Sequence, residues 1–220
     1  MVQHLKRIVA LCIGIGFAIT ANSQPYPQKL IRVVVPFTPG TGTDTLARII
    51  SQNLVESFKQ QVIVENRPGA NGVIAAESVA KSAPDGYTLL ITTNTTHAAN
   101  PSLLKAIPYD PIKDFAPVTR LGNFSPSMLA IDPKLPFKSV AEFIAHAKSN
   151  PGKLSYATGN STGIVFGAKF VRLAGIDVVH VPYKSTPPAM ADVIGGQVSM
   201  IVADFTSGVS AVKAGKIRAL

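Results

Sequence analysis

Short hydrophobic runs alternate with helix-like repeats along most of the chain. Such runs, rich in β-branched residues, are long enough for buried strands and too short for helices. We predict strands at 31–35, 61–65, 87–92, 116–121, 127–131, 153–157, 178–181, 198–203 and 217–220. Apolar residues at helical spacing predict helices at 73–81, 139–148, 188–194 and 207–214. They also predict a helix that begins at 43, one that begins at 100 and one that ends at 174. Strands separated by helices are typical of parallel α/β sheets.

The first predicted strand leads into a loop at 36–43 that contains two prolines and two glycines. Thr43 is a suitable N-cap, and Asp44 then falls in the first turn of the helix. A glycine loop between a strand and a helix leaves backbone N–H groups unpaired, and such a place attracts anions. The alternative is an ordinary connection in which Thr43 and Asp44 satisfy these donors. The loop lacks the third glycine of a dinucleotide fingerprint and the lysine of a P-loop.

Two further polar loops, at 92–97 and 158–163, also follow predicted strands. The carboxyl ends of parallel strands lie at one edge of a sheet, and ligands bind in the crevice outside that edge. The three loops therefore predict a binding crevice. The loop at 122–124 is the expected crossing between two domains.

Residues 1–23 have the features of a secretory signal peptide. A basic start precedes an apolar core at 8–19, which is too short to span a bilayer comfortably, and Ala21 and Ser23 are the small residues of a cleavage site. The alternative is a membrane anchor. Cleavage would start the mature chain at Gln24 and remove Cys12, the single cysteine, leaving no disulfide and no thiolate metal site. Export without disulfides fits a bacterial periplasm.

The formal charge of +9 is spread along the chain. Loss of the leader would remove Lys6 and Arg7 and no acidic residue, which lowers the charge to +7. Basic residues are scattered among acidic ones and no nucleic-acid-binding motif is present, so we expect no nucleic-acid partner. A diffusely positive exported protein is suited to attracting small anions towards a cleft.

Two motifs resemble those of enzymes. Residues 159–163 (GNSTG) match the nucleophile elbow G-x-S-x-G between a strand and a helix, which leaves a secreted α/β hydrolase using Ser161 as an alternative. Such an enzyme needs a later histidine, and only His180 follows, inside an apolar run. Residues 78–81 (SVAK) match S-x-x-K without its companion motifs. The histidines lack the spacing of metal ligands, so we expect no metal site.

Several strings make residues 30–220 resemble the tripartite tricarboxylate transporter substrate-binding proteins, the Bug family of periplasmic solute receptors. They are VPFTPGTGTDTLAR, VIVENRPGANG, APDGYTLL, TNTTHAANPSL, PYDPIKDFAPVT, NPGKLSYATGN, VHVPYK, GGQV and AGKIRAL. The resemblance implies a type II periplasmic binding fold, in which two α/β domains close around a ligand. It implies a receptor with no enzymatic activity and no cofactor, which delivers a small carboxylate to a two-subunit permease of the inner membrane.

The resemblance also implies which residues bind the ligand. They are Phe37, Thr38, Gly40, Thr41 and Gly42 in the first loop, Thr93, Asn94, Thr96 and His97 in the second, Gly159, Asn160, Ser161 and Thr162 in the third, and Asp204 at a later strand end. Charge-assisted hydrogen bonds from fixed N–H and O–H donors can hold a carboxylate without a lysine. The alternatives are a helix-capping role for His97 and a strand-end cap for Asp204.

The chain departs from the family pattern at three positions. Thr41 follows Gly40 where two adjacent glycines are usual, Val165 stands where a histidine is common, and Lys169 stands where an acid is common. These differences leave the identity of the carboxylate open.

The resemblance divides the chain into a signal peptide and two domains. We expect domain 1 at 24–122, domain 2 at 123–216 and the start of a return crossing to domain 1 at 217–220. Because the family continues past Leu220, we expect the C-terminal part to be truncated and the complete receptor to be a periplasmic monomer.

Overall fold

Two β-sheets organise the molecule. The computed structural model describes residues 25–122 and 127–220, here called the first and the second lobe. The predicted signal peptide lies outside the described residues, as does most of the predicted crossing loop. The division into domains stays a prediction.

The first lobe is built on a parallel sheet with the strand order β2-β1-β3. Its elements are β1 (Ile31–Val35), α1 (Gly42–Phe58), β2 (Val62–Asn66), a 3₁₀ turn (Ala70–Gly72), α2 (Val73–Ala80), β3 (Thr88–Leu90), a π-helical turn (Thr95–Ala99) and α3 (Asn100–Leu103). Ile31, Val33, Val34 and Val35 are buried in this central strand, so its sequence is apolar except at Arg32.

The second lobe is built on a sheet with the strand order β6-β5-β7-β4-β8. Its elements are β4 (Ser127–Ile131), α4 (Val140–Ser149), β5 (Ser155–Thr158), α5 (Ser161–Ala174), β6 (Val179–Pro182), α6 (Thr186–Ile194), β7 (Met200–Asp204), α7 (Phe205–Lys213) and β8 (Arg218–Ala219). Strand β5 pairs in parallel with β6 and β7, whereas β4 runs antiparallel to β7 and β8. The second sheet is therefore mixed. The apolar pattern of β4 predicts a strand but does not indicate its direction.

The core of the second lobe covers both faces of β7. Met200 and Val202 pack towards α4 and α5, in a cluster with Phe143. Ile201 and Ala203 point to the opposite face, where they pack with residues of α6 and α7. This period-2 alternation, with both faces apolar, places β7 in the interior of a three-layer α/β structure. In the described parts of the chain, no helix has the length and hydropathy needed to cross a bilayer.

Most predicted elements are present with ends shifted by a few residues, but one is wrong. Residues 116–121 form no strand. Pro117 has no N–H to donate to a ladder, and Val118 is 82% exposed, so the apolar pattern there has no sheet to join. The preceding segment is tied to the first lobe by Tyr109, whose hydroxyl donates to the carbonyl of Thr96 at 2.7 Å.

Candidate ligand-binding cleft

The loop after β1 is held in shape by the buried carboxylate of Asp44 in the first turn of α1. Asp44 Oδ2 accepts hydrogen bonds from the backbone N–H of Gly40 and from Arg48 Nε, each at 3.0 Å. Its Oδ1 accepts from Arg48 Nη2 at 3.0 Å and from Asn66 Nδ2 at 2.9 Å. Asn66 Nδ2 also donates to the carbonyl of Phe37 at 2.9 Å. Side chains of α1 and β2 thus fix both halves of the loop.

Asp44 is only 3% exposed, yet its surroundings favour the ionised form. Burial raises its pKa, but hydrogen bonds from Arg48, Gly40 and Asn66, together with the charge of Arg48, outweigh burial. The pKa of Asp44 therefore lies below its ordinary value. The ionised carboxylate therefore stabilises the loop from the side of α1 and β2.

Thr41 is the N-cap of α1, so the prediction that Thr43 caps this helix is wrong. Thr41 has extended backbone angles, and its Oγ1 accepts from the N–H of Asp44 at 3.2 Å. The same hydroxyl donates to the carbonyl of Thr38 at 3.2 Å. The N-cap therefore lies two residues earlier than predicted, and the helix starts at Gly42. The donors at Gly40 and Asp44 are satisfied internally, as in the alternative reading of this loop.

The second loop is packed from within by threonine hydroxyls. Thr95 and Thr96 are buried in the π-helical turn. Thr96 Oγ1 donates to the carbonyl of Thr93 at 3.1 Å and lies 2.6 Å from Thr92 Oγ1. Thr93 Oγ1 is buried and finds no hydrogen-bond partner in the described structure. Among the predicted loop residues, Asn94 is the one whose side chain reaches the other lobe.

His97 supports this loop from the side of the first lobe. Its ring packs against Phe115, with centroids 4.7 Å apart, and its Nδ1 contacts the hydroxyls of Thr92 and Thr96. Burial lowers the pKa of His97, so the neutral ring is favoured. The N-cap of α3 is Ala99, so His97 does not have the capping role that was the alternative.

The third loop joins β5 to α5 through a close backbone approach. A Cβ on Gly159 would lie 2.3 Å from the backbone nitrogen of Thr186, so only glycine fits there. Asn160 is the N-cap of α5, and its Oδ1 accepts from the N–H of Gly163 at 2.8 Å. These contacts aim the next two residues, Ser161 and Thr162, at the first lobe.

Hydroxyl and amide groups link the two lobes across the cleft. The cross-lobe hydrogen bonds are Thr38 Oγ1 to Ser185 Oγ at 2.7 Å, Ser161 Oγ to Asn100 Oδ1 at 2.7 Å, Thr162 Oγ1 to Asn94 Oδ1 at 3.0 Å, and Thr95 Oγ1 to Thr162 Oγ1 at 3.0 Å. Every group in these pairs is neutral. The cleft therefore offers a ligand hydroxyl donors that can also accept, and amides with both polarities.

The lobes also meet where α1 and α7 begin. A Cβ on Gly42 would lie 2.6 Å from the Cβ of Thr206. Real Cβ atoms do not approach so closely, so a side chain at this position pushes the lobes apart or displaces Thr206. We call this close contact between Gly42 and Thr206 the point of closure.

Asp204 is the last residue of β7 and acts as the N-cap of α7. Its Oδ1 accepts from the N–H of Ser207 at 2.9 Å, and its Oδ2 accepts from Thr186 Oγ1 at 2.8 Å. The strand-end cap that was the alternative for Asp204 is therefore present. Its position at the cleft keeps a contact with the ligand as a prediction.

The predicted residues fall into two groups. Thr38, Gly42, Asn94, Ser161 and Thr162 lie where the lobes touch. The other predicted residues shape or support the loops: Phe37, Gly40, Thr41, Thr93, Thr96, His97, Gly159, Asn160 and Asp204.

Four residues at the lobe contact were not predicted from the sequence: Thr95, Asn100, Ser185 and Thr206. The signal for Ser185 was available, because it follows β6 as the other loops follow their strands. Asn100 had no such signal, since it lies inside the helical segment after the second loop.

The geometry around Ser161 differs from that of a nucleophile elbow. Its hydroxyl is fully buried and donates to Asn100, while His180 Nε2 bonds to Thr158 Oγ1 at 2.8 Å. The described residues contain no cluster of three histidine, cysteine or acidic side chains able to hold a metal ion.

Comparison with known proteins decides the family. A family model described as "Tripartite tricarboxylate transporter family receptor" matches residues 46–220. The chain belongs to this family. The predicted resemblance to the Bug receptors is thereby confirmed, since the named relatives include BugT of Bordetella pertussis, which is 35% identical over 99% of this chain and 69% of its own length.

Two solved members of the receptor family share this fold. A protein of R. palustris, solved with adipate, is 36% identical with a TM-score of 0.85 over 89% of this chain and 66% of its own length. MatC of Rhodopseudomonas palustris, solved with bound malate, is 34% identical with a TM-score of 0.81 over 88% of this chain and 66% of its own length. The α/β periplasmic-binding fold is thus confirmed. The chain spans about two thirds of the length of these relatives.

Proposed function

We propose that this chain is a solute receptor that binds a small carboxylate between its lobes. The observation that carries the proposal is the convergence of neutral hydroxyl and amide groups from both lobes on one cleft, at Thr38, Asn94, Ser161 and Thr162. Hydroxyl groups donate charge-assisted hydrogen bonds to a carboxylate. Two family members of the same fold were solved with adipate and with malate, which supports a carboxylate as the ligand class.

The remaining parts of the function follow from the family. A tripartite tricarboxylate receptor delivers its ligand to a two-subunit permease of the inner membrane, and we propose that role here.

We also propose a periplasmic location with a mature chain starting at Gln24. Mass spectrometry of the periplasmic protein should find that N-terminus, and an intact Met1 would contradict it.

The ligand class is tested by thermal unfolding with dicarboxylates and their uncharged diamides. At one hundred times its dissociation constant, a ligand adds about 2.7 kcal/mol to the free energy of unfolding. We expect stabilisation by at least one dicarboxylate, adipate and malate being tried first, and none by the matching diamide. Equal stabilisation by the diamide, or no response to any carboxylate, would contradict the proposal.

Thr162 gives the matching site test. Replacing it by valine keeps the shape and removes the hydroxyl that bonds to Asn94 and Thr95. If the carboxylate accepts from this hydroxyl, Thr162→Val should weaken binding by about 1.5–3 kcal/mol, as for a hydrogen bond to a charged group. Ser149→Ala, which removes an exposed hydroxyl on α4, is the control. Unchanged affinity in isothermal titration of Thr162→Val would show that the Thr162 hydroxyl does not bind the ligand.

The hydrolase alternative has its own measurement. We expect no turnover of aryl or alkyl esters by the purified protein. Turnover that disappears in Ser161→Ala would reinstate the nucleophile, whereas Ser161→Ala should otherwise affect only ligand binding and closure.

A further inference from the structure

Ser185 stands at the N-cap of α6 but does not cap it. Its side chain makes no hydrogen bond to the helix. An N-cap hydroxyl accepts from the N–H of the second or third helical residue. In α6 these residues are Pro187 and Pro188, which have no N–H. The two prolines therefore leave the Ser185 hydroxyl without an N–H donor in the first turn of α6.

The hydroxyl is used across the cleft. Ser185 is fully buried, and its Oγ lies 2.7 Å from Thr38 Oγ1 of the first lobe. Either oxygen can be the donor, and the other then accepts. The position of Thr38 does not depend on this contact. The hydroxyl of Thr41 donates to the carbonyl of Thr38, and the carboxylate of Asp44 accepts from the N–H of Gly40 in the same loop.

We propose that Ser185 is an affinity-determining residue of this receptor, which acts by latching the second lobe to Thr38. The proposal rests on the proposed receptor function. The hydrogen bond between Ser185 and Thr38 forms only when the two lobes are in contact. It therefore stabilises the closed arrangement of the lobes and not the open one. Opening would return both hydroxyls to water.

A closed-state contact changes ligand affinity without touching the ligand. The apparent dissociation constant equals the intrinsic one divided by the fraction of binding-competent protein. If the closed form binds, each factor lost from the fraction of closed protein appears as the same factor of weaker binding. Ser185 is thus a positioning residue, and Thr38 is its partner.

The latch is tested first without ligand, by the distance between labels on the two lobes. Glu56 of α1 and Lys148 of α4 are exposed and carry the labels as cysteines in the chain from Gln24, which has no other cysteine. Ser185→Ala should lower the ratio of closed to open protein about two- to tenfold, as expected for one neutral hydrogen bond. Ser149→Ala, on the same lobe, should leave the ratio unchanged. An unchanged ratio in Ser185→Ala, or a wild-type protein with no closed population, would overturn the proposal.

A double-mutant cycle separates the latch from a direct ligand contact. With adipate or malate as the titrant, Ser185→Ala and Thr38→Val should each weaken binding, and the double variant should be no weaker than the worse single variant. Additive losses would mean that each hydroxyl contacts the ligand independently, which overturns the latch. If the label distances respond as expected but no carboxylate binds, the latch stands and the proposed ligand class fails.

Discussion

The two lobes contribute to the cleft in different ways. The loop of the first lobe is anchored behind the cleft by an ionised group, Asp44, which fixes its backbone through Gly40 and Asn66. In the second lobe the corresponding positions, Ser161, Thr162 and Ser185, turn their hydroxyls outward to the other lobe.

This difference assigns separate tasks to the lobes. The first loop presents a wall whose shape does not depend on closure, because Gly40, Asp44 and Asn66 are paired with one another within the first lobe. The second lobe presents hydroxyls whose partners lie on the other side. A charged group fixes the first loop, whereas neutral groups link the two lobes.

Removing the anchor should have the largest effect on stability. Asp44→Asn keeps the size of the side chain but loses the charge that accepts from Arg48, Gly40 and Asn66. Hydrogen bonds to a buried charge are worth about 1.5–3 kcal/mol each, so we expect a loss of about 2–4 kcal/mol in the free energy of unfolding. Urea unfolding measures it.

Glu77→Gln is the matched control for this prediction. Glu77 and Lys81 form the same i,i+4 type of ion pair as Asp44 and Arg48, but on an exposed surface of α2. Such a pair is worth at most about 1 kcal/mol. Equal losses in Asp44→Asn and Glu77→Gln would mean that the first lobe is not anchored by this charge.

Filling the point of closure should come next. Gly42→Ala places a Cβ 2.6 Å from that of Thr206, so it opposes closure while leaving each lobe intact. Overpacking of this kind costs about 1–3 kcal/mol, and we expect that loss in ligand affinity measured by isothermal titration. Adding Thr206→Gly removes the opposing atom and should restore binding. Failure of this rescue would place the damage inside the first lobe, and the comparison between the lobes would lose its closure step.

The pH dependence of stability should be the smallest effect, and it has a contribution from each lobe. Burial lowers the pKa of His97 in the first lobe and of His180 in the second, below the ordinary value of 6.5. The unfolded chain then binds more protons than the folded one as the pH falls through about 6.5, so stability decreases. Comparing unfolding at about pH 7.5 and about pH 5.5, His97→Gln and His180→Gln should each flatten the decrease. A decrease that neither variant alters would assign it to other groups.

Sequence alone predicted much of the architecture, for reasons visible in single elements. Strand β7 could be recognised because both of its faces are buried, and α4 because Ser139 caps it, with its Oγ accepting from the N–H of Glu142 at 3.2 Å. The strand predicted at 116–121 failed because apolar residues without a neighbouring strand have nothing to pair with. The antiparallel direction of β4 also leaves no local mark in the sequence.

The candidate site was predictable to the extent that its residues follow strands. Thr38, Asn94 and Thr162 were placed by that rule together with the family resemblance. Asn100 and Thr206 belong to helical segments, and only the tertiary approach of the lobes brings them to the cleft. Thr41 and Thr43 are both plausible caps by composition, and the backbone angles that choose between them depend on the Asp44 anchor.

The anchor behind the first loop has a consequence for how this receptor can change over evolutionary time. Backbone shape is set by Asp44, Arg48 and Asn66, none of which needs to contact the ligand. A cleft position such as Thr38 can then be exchanged without rebuilding the loop that carries it. A binding protein organised in this way separates what must be inherited from what can be retuned, and it is a suitable starting scaffold for selecting new ligand preferences.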